Sequence, residues 1–454
     1  MESTLTIGII LSYLIILISI GLLSTKKIKN SDSFFLADRS LKKLALISTI
    51  TATTVGGSAT IVAGGRIYSQ GLPALWYDLA GGLGLIVLGL FIASKVRKTG
   101  LFTLPDITGS LFNKNVRFAS AILILITEIA WVSLLIQACS LVLYVAIPIQ
   151  YEILLVFITF GFISYTIFGG QYAVVYTDMI QFFVMFIGIC CIAAPILLLD
   201  ALPNIGTLSS TILSFPINEN IGFIGVASIF FLMFLPHIVG PDIYSKLLSA
   251  KDEKTAKTGA IISGFFKIIF AISIGVIAIA ALILYPGLEN VYTAIPTAVI
   301  NISPIIGALI IAAFVSVMLS SADSCLLSAG TIISNDLIKN KNINISRAGI
   351  FLMGLGALIL ALFLNDILKT LELAYTIFAA GLTIPILFGF FKNKTKVSSK
   401  GALYALISGG AVSLIWLFFQ NPYNIDAVLV GMIASIIPLL IFRDRNERKN
   451  IKRT

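Results

Sequence analysis

Apolar residues run almost unbroken along the chain, in stretches that polar clusters divide at intervals close to a bilayer crossing. The stretches occupy 5–24, 44–66, 74–95, 117–147, 152–168, 173–199, 221–245, 258–285, 305–334, 347–365, 369–391, 401–419 and 427–442. About 20 apolar residues in a helix span the hydrocarbon core. The pattern therefore predicts an all-α membrane protein of thirteen transmembrane helices. An odd number puts the two termini on opposite sides.

Two of these spans carry the residues that break helices. Residues 52–65, Ala-Thr-Thr-Val-Gly-Gly-Ser-Ala-Thr-Ile-Val-Ala-Gly-Gly, bring four glycines and several hydroxyls into the second span. Residues 233–245 place Pro236, Gly240 and Pro241 in the seventh. Proline removes an amide donor and glycine eases unwinding. Non-helical backbone at membrane depth persists only where it lines a cavity or is buried in protein. The interruptions lie five spans apart, as expected if spans 2–6 and 7–11 are inverted repeats with a central site between them. Close packing of small residues is the structural alternative for each taken singly.

The ninth span holds Ser320-Ser321-Ala322-Asp323-Ser324. A carboxylate at the centre of a bilayer helix costs about 2.5–3.5 kcal/mol even on the most lenient scale. On a helix Ser320, Asp323 and Ser324 share one face, and oxygen donors gathered there suit a hard cation such as Na+. Ser328 and Ser334 read instead as hydroxyls bonding the carbonyl one turn back.

Composition agrees: 58% of the 454 residues are hydrophobic and 11% charged, against roughly 25% charged in soluble domains. Mean hydropathy is +1.03. The net charge of +10 is not a nucleic-acid surface, because all but Arg66, Lys267 and Lys369 of the 31 basic residues lie in alternate loops and the tail. Those segments are 25–43, 95–117, 246–257, 339–347, 392–400 and 443–454. By the positive-inside rule the N-terminus is outside and the C-terminus cytoplasmic, in a multi-pass cell membrane protein embedded in the lipid bilayer. Glu2 and the lysines Lys26, Lys27 and Lys29 make 5–24 a retained span and not a cleaved leader. Cys139, Cys190, Cys191 and Cys325 fall in apolar runs without paired spacing, and a lone His237 completes no zinc set.

Several motifs, in order along the chain, resemble the sodium:solute symporter family. Asp38-Arg39-Ser40-Leu41 is similar to the family's Gly-Arg-Ser-Leu, and Thr103-Leu104-Pro105-Asp106 to its Thr-Leu-Pro-Asp/Glu. Gly169-Gly170 followed by Ala173-Val174-Val175-Tyr176-Thr177-Asp178-Met179-Ile180-Gln181 resembles another signature. Ser245-Lys246 through Asp252 stands where Gln-Arg-x-x-x-Ala-Lys is usual, with Ser and Lys replacing Gln and Arg. Ser320–Ser324 with Asn335-Asp336-Leu337 is similar to the family's sodium-binding helix. The resemblance implies a LeuT-type 5+5 inverted-repeat core with one helix before and two after. On that scheme residues 1–43 form a peripheral helix and loop, 44–199 the first repeat, 221–391 the second, and 401–454 two peripheral helices and the basic tail.

The resemblance also implies site residues. A shared Na+ site would take main-chain carbonyls of Ala52, Val55 and Val317 with the hydroxyls of Ser320 and Ser321. Asp178, Asp323 and Ser324 match a second cation or proton site found in some relatives; a structural bond at the end of span 6 is the other reading of Asp178. Gly56, Gly57, Ser58, Asp78, Trp131, Met233, His237 and Lys267 would contact solute. Asp78 and Lys267 align with residues of sugar carriers, whereas Met233 and Pro236 replace hydrogen-bonding residues there, which disfavours a sugar. Glu128, mid-span, needs a partner, and Lys267 is the nearest in kind.

The expected function is Na+-coupled symport of a small organic solute into the cell by alternating access, with an amino acid or carboxylate favoured and a sugar as the alternative. A channel would show a continuous polar stripe, a sensor an attached signalling domain, and an enzyme a nucleophile–base or metal constellation. None of these is legible, and no protein partner is required.

Overall fold

The computed structural model describes residues 2–443, so most of the basic tail lies outside the described residues. Among the described residues, ten helices are long and apolar enough to cross a membrane, eleven when the bent pair Lys43–Thr54 and Ser58–Gln70 counts as one span. The difference from thirteen has two sources. The predicted spans 152–168 and 173–199 fall within one helical stretch, Tyr151–Thr207, divided at Gly170 (φ 54°, ψ −170°). The last apolar run folds as a helix of only 15 residues, Ala427–Ile441.

The spans are α1 (Glu2–Ser24), the broken pair α2 (Lys43–Thr54) and α3 (Ser58–Gln70), α4 (Trp76–Phe91), α5 (Lys114–Ala146) and α6 (Tyr151–Met185). The second half comprises α7 (Phe223–Ile238), α8 (Pro241–Ser249), α9 (Glu253–Leu284), α10 (Pro304–Ile332), α11 (Ile343–Phe363) and α12 (Ile367–Ile377). α13 (Ser399–Phe418) and α14 (Ala427–Ile441) close the described chain. Enclosure separates core from periphery: 83% of the apolar window of the α10 span is buried, against 25% for α1 and 39% for α13. α10 therefore sits at the centre, packed on α2, α5, α6, α8 and α11. Its hydroxyls and acid face protein, not lipid.

Gly170 is where glycine is required. Its φ/ψ lies in a region essentially closed to side chains, a cost of about 1–3 kcal/mol for any other residue. A Cβ there would also stand 2.8 Å from the Phe34 ring and 3.0 Å from the Phe34 carbonyl. Gly170→Ala is expected to lower the unfolding temperature of the detergent-solubilised protein by several degrees. An unchanged melting curve would refute this role.

The motif residues of the basic-loop end interlock. The Arg117 guanidinium pairs with Asp336 (2.8 Å) and Asp106 (3.0 Å), and the Thr103 hydroxyl donates to Asp336 (2.7 Å). Leu41 exchanges backbone bonds with Ser249 and Lys251, and Arg39 donates to the carbonyls of Gly100 and Leu101. Motifs scattered over three hundred residues of sequence thus close one face of the bundle.

Candidate ion and solute site

The break in the second span exposes the carbonyls that an ion needs. A helix ends with four carbonyls lacking intrahelical donors, here those of Thr51 to Thr54. The Val55 amide takes Thr51 (3.1 Å), Ser321 Oγ takes Thr53 (2.8 Å) and the Lys267 ammonium takes Thr54 (2.5 Å). The Ala52 carbonyl is left without a donor among the described residues. Ser321 Oγ also lies 3.0 Å from the Val317 carbonyl. Ser321 thus ties α10 to the end of α2 through Thr53, the neighbour of Ala52, while its contact with Val317 lies within α10. Val55 forms the turn itself (φ −87°, ψ 30°). This set of neutral oxygens fits an alkali cation. Gly56 allows the approach, since its Cβ would stand 2.8 Å from Ser321 Oγ.

Ser320 turns to a neighbouring group. Its hydroxyl donates to Asp178 Oδ1 (2.5 Å), while the Thr49 hydroxyl donates to Asp178 Oδ2. Lys246 Nζ lies 3.5 Å from the same Oδ2, with both side chains fully buried. Asp323 Oδ1 accepts from Ser324 (3.2 Å), and Ser324 Oγ lies 3.0 Å from Thr53 Oγ1. Asp178, Asp323, Ser320 and Ser324 are thus brought into one region, as their alignment implied. Lys246 and Thr49 were not foreseen. Lys246 had been counted with the basic loop 246–257, yet it is inside the bundle.

Beside the broken spans lies a cavity of ≈ 50 Å³. One water needs about 10–15 Å³ on this measure, so the space suits a small solute. Gly56, Gly57 and Ser58 line it from the break, Trp131 from α5, and Pro236 and His237 from α7. Asp242 at the start of α8, Cys325 on α10 and Tyr375 on α12 complete the wall. Ser58 Oγ stands 3.0 Å from the Tyr375 hydroxyl, and Trp131 packs on Tyr375 with ring centroids 5.3 Å apart. Trp131 Nε1 has no hydrogen-bond partner among the described residues. Asp242 forms no ion pair among them. The second acid, Glu128, is buried next to Cys325 and within electrostatic reach of Asp242.

Three residues expected to touch solute lie off this wall. Lys267 forms a close ion pair with Asp78, both buried, so it serves neither solute nor Glu128. Met233 is fully buried and offers its carbonyl to His237 Nδ1 (2.6 Å). The pair and the imidazole crowd α4 so closely that a Cβ on Gly81 would stand 2.5 Å from Lys267 Cε. Asp242 and Tyr375 were missed. Asp242 had a signal, as an acid directly after the Gly240-Pro241 break; Tyr375 had none.

The sequence model of the sodium:solute symporter family matches residues 34–409. A sodium/proline symporter of Staphylococcus aureus (strain Newman) is 25% identical over 464 residues, covering 94% of this chain and 90% of the relative. Among solved structures, a Na+-coupled sialic acid symporter, substrate-bound and outward-open, superposes with a TM-score of 0.81 at 19% identity over 96% of this chain and 97% of the other. MhsT in complex with L-phenylalanine gives 0.61 at 13% identity over 88% and 98%. These superpositions identify the LeuT-type fold, and with it the broken helices that meet at the cavity. The chain belongs to the sodium:solute symporter family, multi-pass membrane carriers that couple Na+ to the movement of a small solute.

Proposed function

We propose that the solute is a small amino acid, carried inward with Na+ bound by the carbonyls of Ala52, Val55 and Val317 and the hydroxyls of Ser320 and Ser321. The observation that carries the solute reading is Asp242, an acid on the cavity wall that forms no ion pair among the described residues, with Lys246, already paired to Asp178, reaching it only at longer range. Glu128 adds a second acid nearby, and no Lys or Arg lines the cavity. A simple carboxylate would meet only repulsion there, whereas an ammonium would complete the missing pair. Sugar recognition lacks support, since Asp78 and Lys267 are spent on each other. The named activity of the sodium/proline relatives supports proline or a similarly small zwitterion as the first to test.

The orientation favoured is N-terminus outside and C-terminus cytoplasmic, which puts the Arg117–Asp336 latch at the inner face. Ion binding at the junction of α2 and α10 would bias the outward-open arrangement through its preference for that state. Each charge moved draws about 2.3 kcal/mol per 100 mV of membrane potential, enough for accumulation without a covalent step.

The test is uptake of radiolabelled solutes by proteoliposomes under an imposed inward Na+ gradient. Proline or another small amino acid should accumulate only with Na+, and glucose and sialic acid should not. Accumulation of the sugars with no amino acid taken up would overturn the reading.

A further inference from the structure

Residue 246 departs from the family motif, in which an arginine is usual, and its side chain does not reach the loop that its charge suggested. It is fully buried, and its ammonium, 3.5 Å from Asp178 Oδ2, makes no regular hydrogen bond among the described residues. Lysine presents a compact point charge on a flexible stem, unlike the planar fork of arginine. Asp178 is the residue at which the resemblance implied a second alkali ion. The Asp178 carboxylate already accepts from the hydroxyls of Ser320 and Thr49. A further cation in that place would stand against the ammonium without water to screen the repulsion. The residues present therefore do not fit a second Na+.

We infer that Lys246 is a tethered cation occupying the second ion position, so that this carrier binds one Na+ and not two. The inference rests on the Na+-coupled reading above. The charges of the buried cluster are consistent with it. Asp178, Asp323 and Lys246 sum to a single negative charge when all are ionised, Asp242, also within electrostatic reach of Lys246, being counted with the solute it faces across the cavity; Asp323 Oδ2 has no hydrogen-bond partner among the described residues. One Na+ at the adjoining carbonyl and hydroxyl site, of which Ser320 is the common member, leaves the group neutral. Charge balance is what a water-free region demands. An extra ion would leave it positive. In this chain, then, the second ion is built into α8 and never leaves.

The test is equilibrium binding of radioactive sodium to the purified, detergent-solubilised full chain, which needs no knowledge of the solute. Wild type is expected to bind one ion per chain. Lys246→Gln vacates the position and is expected to bind two; the double variant Lys246→Gln, Asp178→Asn, neutral at both places, is expected to return to one. Two ions in wild type, or one in a monodisperse and folded Lys246→Gln, would overturn the inference while leaving Na+ coupling intact. No bound sodium in wild type would instead overturn the Na+-coupled reading. If Lys246→Gln alone does not fold, an unpaired buried carboxylate is the predicted cause. The double variant must then recover the fold with one ion, and its failure to do so would refute the pairing.

Discussion

Asp242→Asn is expected to raise the amino acid concentration for half-maximal Na+-driven uptake on the order of thirtyfold. A hydrogen bond to a charged group contributes about 1.5–3 kcal/mol, and each 1.4 kcal/mol is a factor of ten. Asparagine keeps the size and one acceptor oxygen but loses the charge that would face the solute's ammonium. Asp242 also sits in the first turn of α8, where a negative charge favours the helix by about 0.3–1 kcal/mol, so the fold should survive. The half-saturating Na+ concentration should stay near wild type, because Asp242 is not among the ion's oxygens. A carboxylate analogue lacking the amine gives an internal control: it should compete no worse against the variant than against wild type. If the variant's affinity for the amino acid stays within about threefold of wild type, the ammonium is not held at Asp242.

How much of this was legible in the sequence differs by kind of feature. Spans were legible because the bilayer imposes a length and a composition, and only the helix bounds at Gly170 and the short Ala427–Ile441 altered the count. The break at 52–65 was legible from its glycines; the choice of ion-binding oxygens beside it came from the family resemblance, because unwinding frees carbonyls without saying which of them an ion would take. Pairing was not legible. Lys267 has two buried acids as candidates, Asp78 and Glu128, and only the packing of α4 against α9 selects Asp78. Lys246 stands among loop lysines in sequence, yet α8 continues inward for two turns past the break and carries it into the core. Tyr375 reaches the cavity because α12 packs beside the broken span, where its hydroxyl meets Ser58, a relation set by tertiary packing alone. Charge-to-charge assignments inside a membrane bundle depend on which helices touch, and periodicity does not carry that information.

Replacing both Ser320 and Ser321 with alanine should raise the Na+ concentration needed for half-maximal transport tenfold or more, on the order of 1.4 kcal/mol. Ser321 Oγ lies between the carbonyls of Thr53 and Val317, so its removal takes away a neutral oxygen and one of the bonds from α10 to the end of α2, leaving that of Ser324 to Thr53. Ser320 is the link to the buried acids, donating to Asp178 Oδ1 at 2.5 Å. Its loss leaves Asp178 with the Thr49 hydroxyl and the Lys246 ammonium, so the carboxylate stays paired and the chain should still fold. The two single variants should then separate by mechanism. Ser321→Ala acts on the ion's own oxygens and should carry a large share of the shift in Na+ dependence. Ser320→Ala also loosens Asp178, so its effect should shrink when Asp178 is already asparagine, while that of Ser321→Ala should not. Flux measured against Na+ at saturating solute in proteoliposomes reads both. A double alanine variant with wild-type Na+ dependence would place the ion elsewhere in the bundle.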